Sequence, residues 1–217
     1  MGARARGFAN GLSSGGKLLP SVVNNTNMAN FTSLPSGLSS PGSFTKITHS
    51  VLSSTTSVDF TLSGGYKEYM FVASNCRPNA TSEPDFKFNG SSDGTNFNLA
   101  IQSSANRTFS SSSQQLHQIY TPAGSAGGTT GTFWGFDMEG SNQDSTAGSM
   151  TLHLFDPHTV GMATYFMFES SAVHDAVRAD HYRQGGYFET TAAITKMRFF
   201  RDTGNYTDGF ITMYGLS

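Results

Sequence analysis

The sequence predicts an all-β protein: an antiparallel β-sandwich or jelly roll with an extended N-terminal arm. Three observations predict it. From Phe44 onward apolar and polar residues alternate with a period of two. Gly-, Asn-, Asp- and Pro-rich turn signals separate these short runs. No window of helical period and useful length follows residue 50. Composition agrees. Charged residues make up 13% of the 217, against about 25% in an average soluble domain, which excludes a coiled coil or a highly charged helical bundle. Aromatics reach 12%, including 18 Phe, so the chain has the means to fill a core and is not a disordered polymer.

The elements follow in order. Val58, Phe60 and Leu62 alternate with Ser57, Asp59 and Thr61, and Gly64-Gly65 turns the chain. Tyr66–Ala73 is a strand with Tyr69, Phe71 and Ala73 on one face, and Asp85–Asn89 carries Phe86 and Phe88. Asp93-Gly94 signals a tight turn into a strand at Phe97–Ile101, and the low-complexity stretch Ser103–Ser113 reads as an exposed loop. Gln114–Tyr120 and Thr132–Glu139 are further strands, flanked by Gly-, Thr- and Asn-rich loops at 122–131 and 141–148. Met150, Leu152 and Leu154 alternate cleanly up to Asp156-Pro157. Ala163–Ser170, with Tyr165, Phe166, Met167 and Phe168 in a row, reads as a strand buried on both faces. Arg178–Thr190, Ile194–Phe200 and Phe210–Tyr214 complete the set, with a turn at Asp202–Asn205. The segment Ile194–Gly215 is expected to be a core hairpin.

Residues 1–43 are the arm and residues 44–217 the sandwich domain. The arm has no acidic residue, since the first is Asp59. Its Gly15-Gly16, Pro20, Pro35-Ser36-Gly37 and Pro41-Gly42 favour extended chain and turns, with room for a short helix at Ala3–Leu12. Its scattered apolar residues have no core of their own, so the arm is expected to become ordered on another surface. Arg4, Arg6 and Lys17 would meet carboxylates there, and Phe8, Leu18, Leu19 and Phe31 would supply the apolar contact.

Net charge is −2 and the pI about 6.3, so neither nucleic acid nor an acidic membrane is an expected partner. No run of 18 apolar residues occurs, and none of 7–15 follows Arg4 and Arg6, so no membrane insertion or secretory signal is expected. The single cysteine, Cys76, excludes an intrachain disulfide framework. Arg77 beside it would lower its pKa, but with no nearby His the thiol reads as unreactive. His153, Asp156, His158, His174-Asp175 and Asp180-His181 carry metal-ligating groups without any metal-binding spacing, and His153 should point away from the Met150–Leu154 face. Asp137 and Glu139, at i and i+2, have the chemistry of a glycosidase acid pair, yet the adjoining Gly140-Ser141-Asn142 suggests a solvated strand end. No nucleophile elbow, Walker loop or dinucleotide fingerprint occurs. The expectation is therefore no catalytic residue, no cofactor and no metal. Trp134, Tyr120, Tyr187 and Tyr206 have rings able to stack on pyranose faces, and the same rings serve equally in a core.

The C-terminal Ile194-Thr195-Lys196-Met197-Arg198-Phe199-Phe200, followed by Gly209-Phe210-Ile211-Thr212-Met213-Tyr214-Gly215-Leu216, resembles the closing strands of a module found in marine and cyanobacterial phage virion proteins. There a "gxixLYGl" ending follows an i-x-i-x-F strand. Val58-Asp59-Phe60 with Tyr66-Lys67-Glu68-Tyr69-Met70-Phe71 resembles its early strands, an F-x-L, tight turn, Y-x-x-Y pattern. Ala3-Arg4-Ala5-Arg6-Gly7-Phe8-Ala9-Asn10 and Ser14-Gly15-Gly16-Lys17-Leu18 resemble the start of phage tail-fibre and virion structural proteins. The likeness covers the arm, residues 56–75 and 194–217; residues 80–190 lie outside it. It implies a non-enzymatic subunit on the exterior of a phage particle, of tail-fibre or tail-appendage type, docked on other virion proteins through its arm. A head decoration protein is the alternative, and a glycan-binding or glycan-cleaving module a third reading. A homotrimer is expected, because such proteins occupy symmetric sites, and a host-surface glycan is a possible ligand.

Overall fold

A computed structural model describes residues 13–14, 17–18, 44–78, 85–111, 115–120, 136–137, 147–174, 178–201 and 204–216. The chain divides into two units at Pro41–Gly42. In the first, β1 (Ser13–Ser14) pairs antiparallel with β2 (Lys17–Leu18). The proposed helix at Ala3–Leu12 lies outside the described residues.

The second unit is all β among its described residues. Its strands are β3 (Phe44–Val51), β4 (Ser57–Thr61), β5 (Glu68–Pro78), β6 (Asp85–Ser91), β7 (Ile101–Ser110) and β8 (Gln115–Tyr120). They continue with β9 (Phe136–Asp137), β10 (Gly148–Phe155), β11 (Thr164–His174), β12 (Arg178–Phe188), β13 (Lys196–Arg201) and β14 (Tyr206–Leu216). Eight form a large sheet in the order β3-β14-β5-β10-β11-β12-β7-β8, and four a small sheet in the order β4-β13-β6-β9. Neighbouring strands run antiparallel throughout.

Phenylalanine closes the sandwich. Phe60, Phe86, Phe88 and Phe199 of the small sheet are buried, as are Phe71, Phe166 and Phe168 of the large one. Ring centroids meet across the gap at 5.5 Å for Phe60 and Phe71, 5.1 Å for Phe71 and Phe199, and 5.5 Å for Phe88 and Phe166. These separations suit edge-to-face and tilted packing. Each fully buried ring contributes roughly 1.5–3 kcal/mol of transfer free energy. β10 behaves as its alternation requires: Met150, Leu152 and Leu154 are buried, while Thr151 and His153 face outward.

The C-terminal segment is not a hairpin. β13 pairs with β4 and β6 in the small sheet, whereas β14 pairs with β3 and β5 in the large one. The ribbon β3–β4 and the ribbon β13–β14 cross from sheet to sheet together. The corner is held by hydrogen bonds from Leu52 N to Gly209 O (2.8 Å), Arg201 N to Thr56 O (3.0 Å) and Tyr206 N to Thr55 O (2.8 Å). Gly209, at φ 113°, lets the chain turn there; a Cβ would lie 2.7 Å from the Asn75 carbonyl oxygen. Arg201 donates to the Asn205 carbonyl at 2.6 Å and lies over the Tyr206 ring. The expected burial of Ile211 and Met213 does hold, and Thr212 on the opposite face is buried too, whereas Phe210 beside it on that face is 38% exposed.

Three further expectations change. Ser103–Ser110 is strand, not loop: β7 pairs along its whole length with β12, and backbone hydrogen bonds need no apolar side chains. Phe97–Ala100 is not strand, because Phe97 is drawn under the Arg198 guanidinium, 4.0 Å from its ring centroid, while Leu99 packs on the core. β11 is buried on one face only, with Tyr165 55% and Met167 61% exposed.

Candidate functional site

The outer face of the large sheet is where antiparallel register gathers exposed side chains from distant parts of the chain. Strands lie about 4.8 Å apart and alternate residues share a face, so each register row can be read across β10, β11, β12 and β7. One row is Phe155, Tyr165, Tyr187 and Gln102. The next is His153, Met167, Gly185 and Ser104, and the third Thr151, Glu169, Arg183 and Asn106. The middle row ends in two small residues. An open groove of about 540 Å3 lies over them, lined also by Thr151, His153, Glu169 and Arg183. A Cβ on Gly185 would meet nothing within 4 Å.

The polar wall of the groove is held in place by paired side chains. Glu169 accepts hydrogen bonds from His181 (2.9 Å) and Arg183 (3.1 Å). The His181 bond and then the Arg183 bond hold its carboxyl below the usual carboxylate range. His153 is paired with Glu68 of β5. At the other end Tyr165 and Tyr187 stand side by side, ring centroids 5.7 Å apart, and Gln102 donates to Glu189 at 2.7 Å. A shallower depression of about 210 Å3 continues beyond Glu169 over Ser149, Ser171 and Val72.

The candidates weighed from sequence separate widely. His153 does face away from the core, on the outer face. His158 instead meets the Tyr69 hydroxyl at 2.9 Å, and Asp156 pairs with Lys67 at 3.2 Å. Asp180 is on the inner face, buried against Arg107. Among the described residues no group of three or more His, Cys, Asp or Glu is placed to hold a metal ion. Asp137 lies in β9, while Glu139, Trp134 and Asp175 lie outside the described residues. Tyr206 is a core residue at 0% exposure, so it offers no ring to a ligand. Tyr187 lies on this outer face, and Tyr120 is in β8. Tyr165, read from sequence as buried, stands beside it. Cys76 is buried, and burial pushes its thiol up to about 12 despite Arg77 next to it. Of the arm residues, Lys17 and Leu18 form β2; Arg4, Arg6, Phe8, Leu19 and Phe31 lie outside the described residues. No described helix is long and apolar enough to cross a membrane.

No family model matches the chain, and no curated protein and no solved structure is significantly similar to it.

Proposed function

We propose that the chain is a non-enzymatic structural subunit on the exterior of a phage particle, of tail-fibre or tail-appendage type. Residues 1–43 dock it on other virion proteins, and the sandwich, as a homotrimer, faces outward. The observation that carries this reading is the mutual contact of the two segments with phage-module resemblance. They are separated by more than a hundred residues, yet β4 pairs with β13 and β5 with β14. The motif residues also touch: a Cβ on Gly215 would fall 2.4 Å from the Tyr66 ring, so the tyrosine of the early motif lies flat on the glycine of the closing one. Only glycine leaves room for that approach. Two short likenesses thus belong to one packed unit, as strands of a single module would. Groups weighed as metal ligands also have separate structural partners: Glu68 for His153, Tyr69 for His158 and Arg107 for Asp180.

Labelling purified particles with antibody against the sandwich domain tests the reading by electron microscopy. Label on the tail is the expected result. Label on the head selects the decoration reading, and unlabelled particles overturn both. Deleting residues 2–40 should abolish incorporation while the domain still folds. Exposed ion pairs of Arg4, Arg6 and Lys17 would add only about 0–1 kcal/mol each, so replacing Phe8, Leu18, Leu19 and Phe31 should weaken docking more than replacing the cations. Light scattering of the purified chain at micromolar concentration should give a trimer.

A further inference from the structure

We propose that the groove over Gly185 and Ser104 binds a neutral glycan. One hexose would stack on the Tyr165–Tyr187 pair, and the chain would run on past Glu169 and Arg183. Four features of the face lead to this ligand class.

The first is the tyrosine pair. Tyr165 and Met167 are 55% and 61% exposed and Tyr187 36%, neighbours on the middle strands of the large sheet. Contiguous exposed apolar surface of this kind marks an interaction site. The rings offer flat apolar faces with a polar rim, and the C–H face of a pyranose has the matching shape and chemistry. The second is the floor. Gly185 and Ser104 leave about 540 Å3 open in the row next to the tyrosines, within the roughly 300–1,000 Å3 of small-ligand pockets. The depression over Ser149 and Ser171 extends the track, so an oligosaccharide fits better than a single sugar.

The third is the paired polar wall. Sugar hydroxyls both donate and accept, and the face presents both roles side by side: Glu169 carboxylate and Arg183 donors in the groove wall, and the Glu189 carboxylate with the Gln102 amide in the tyrosine row. Because these groups already hold one another, binding need not freeze them. The fourth is charge. Glu169 lines the groove, Glu68 is paired with its His153 and Glu189 with Gln102 in the tyrosine row, while its permanent cation, Arg183, already faces Glu169. A uronate, sialate or sulfate would meet carboxylates, so a neutral glycan is favoured. An open groove binds each copy weakly, and several copies on one particle would raise the avidity. Only that avidity rests on the virion reading. The site is tested on the free chain, so the two ideas can fail separately.

The full-length protein should be screened on immobilised neutral glycans (β-glucan, mannan, galactan) and anionic ones (alginate, sulfated galactan, polysialic acid). A hit is then followed by calorimetric titration with the matching oligosaccharide. Binding to a neutral glycan is expected. Tyr187→Ala and Tyr165→Ala should each weaken it about tenfold, as loss of a stacking ring does. Gly185→Ile should abolish it by filling the floor, with melting unchanged because the position is open to solvent. Absence of binding to every neutral glycan, or a preference for anionic ones, would overturn the proposal. So would binding that survives both Tyr187→Ala and Gly185→Ile. Dimerisation that these variants abolish, without glycan binding, would assign the face to a second copy of the chain instead.

Discussion

Beneath β5, β10 and β14 the inner face of the large sheet carries Tyr69, Phe71, Met150, Leu152, Leu154, Ile211 and Met213, all buried. Farther along the same face, on β12 and β7, it carries Asp180, Tyr182, Gln184, Ala105 and Arg107. Asp180 is 2% exposed and Gln184 6%. Both regions are shielded from water, but they are stabilised differently. The first is held by close packing of rings and aliphatic chains. The second is held by partners: Arg107 on Asp180, Gln184 on Ser103 at 3.0 Å, and the Arg107 guanidinium 5.2 Å from the Tyr182 ring centroid. An apolar region fails when a charge enters it, and a paired region fails when one partner leaves.

The largest expected effect is in the apolar region. Ile211→Asp places an unpaired carboxylate at a site with 0% exposure, at a cost of several kcal/mol. Against a typical margin of about 5–15 kcal/mol, most soluble protein should be lost. A variant melting within a few degrees of wild type would show that β14 is peripheral. Next, Arg107→Met removes the cation paired with Asp180, whose side chain is 0% exposed, and should cost about 3–5 kcal/mol in urea unfolding. Adding Asp180→Asn should recover part of that loss; if it recovers none, the two residues are not coupled.

Adjacent glycines sharpen the contrast further. A Cβ on Gly186 would sit 2.3 Å from the Gln102 carbonyl oxygen, so Gly186→Ala must shift backbone and should cost about 1–3 kcal/mol. Gly185→Ala, one residue away on the open face, should be neutral or stabilise by up to ~1 kcal/mol. Equal melting points for the two alanine variants would contradict the strand register.

The smallest stability effect belongs to Asp93 in the turn after β6. Backbone N–H groups of Asn96 and Thr95, both at 2.8 Å, with the Asn96 amide and the Ser91 hydroxyl, hold its carboxyl well below the usual carboxylate range. A depressed folded value means the stabilisation is complete above the unfolded carboxylate pKa and is lost as pH falls through the folded one. Asp93→Ala should therefore lower the melting temperature at pH 7, and the gap should narrow in strong acid. A gap independent of pH would sink the assignment. Cys76 should give no change in stability, only in access. With its thiol pushed up to about 12, it should resist a thiol-specific disulfide reagent at pH 8 until the protein is unfolded.

Val58 with Phe60, Phe86 with Phe88, and Met150 through Leu154 were readable because each lies on a strand with one polar and one apolar face. Period-two alternation records that difference directly. Ser103–Ser110 was not, because its contribution is backbone pairing with β12, which leaves no trace in side-chain polarity. Arg178–Phe188 was legible as strand, but Asp180 and Gln184 gave no sign of pointing inward, since their burial depends on Arg107 and Ser103 from another part of the chain. Of the groove and its tyrosine row, only His153 and Tyr187 were candidates beforehand, each for a different role. Gly185, Met167, Glu169 and Ser104 have no common pattern until β10, β11, β12 and β7 lie side by side.

By itself the sequence determined the all-β class, most strand positions, the dominance of phenylalanine in the core and the contrast between residues 1–43 and the rest. These depend on composition and on periodicity over a few neighbouring residues. The tertiary structure alone decided that β13, ending at Arg201, and β14, beginning at Tyr206, join different sheets. It also turned Tyr165 outward and Tyr206 inward, and put a groove beside two exposed tyrosines. The physical reason is the pleat: a strand with apolar residues on both faces does not specify which face is covered. That choice is made by the strands beside it and the sheet opposite, brought together from far along the chain.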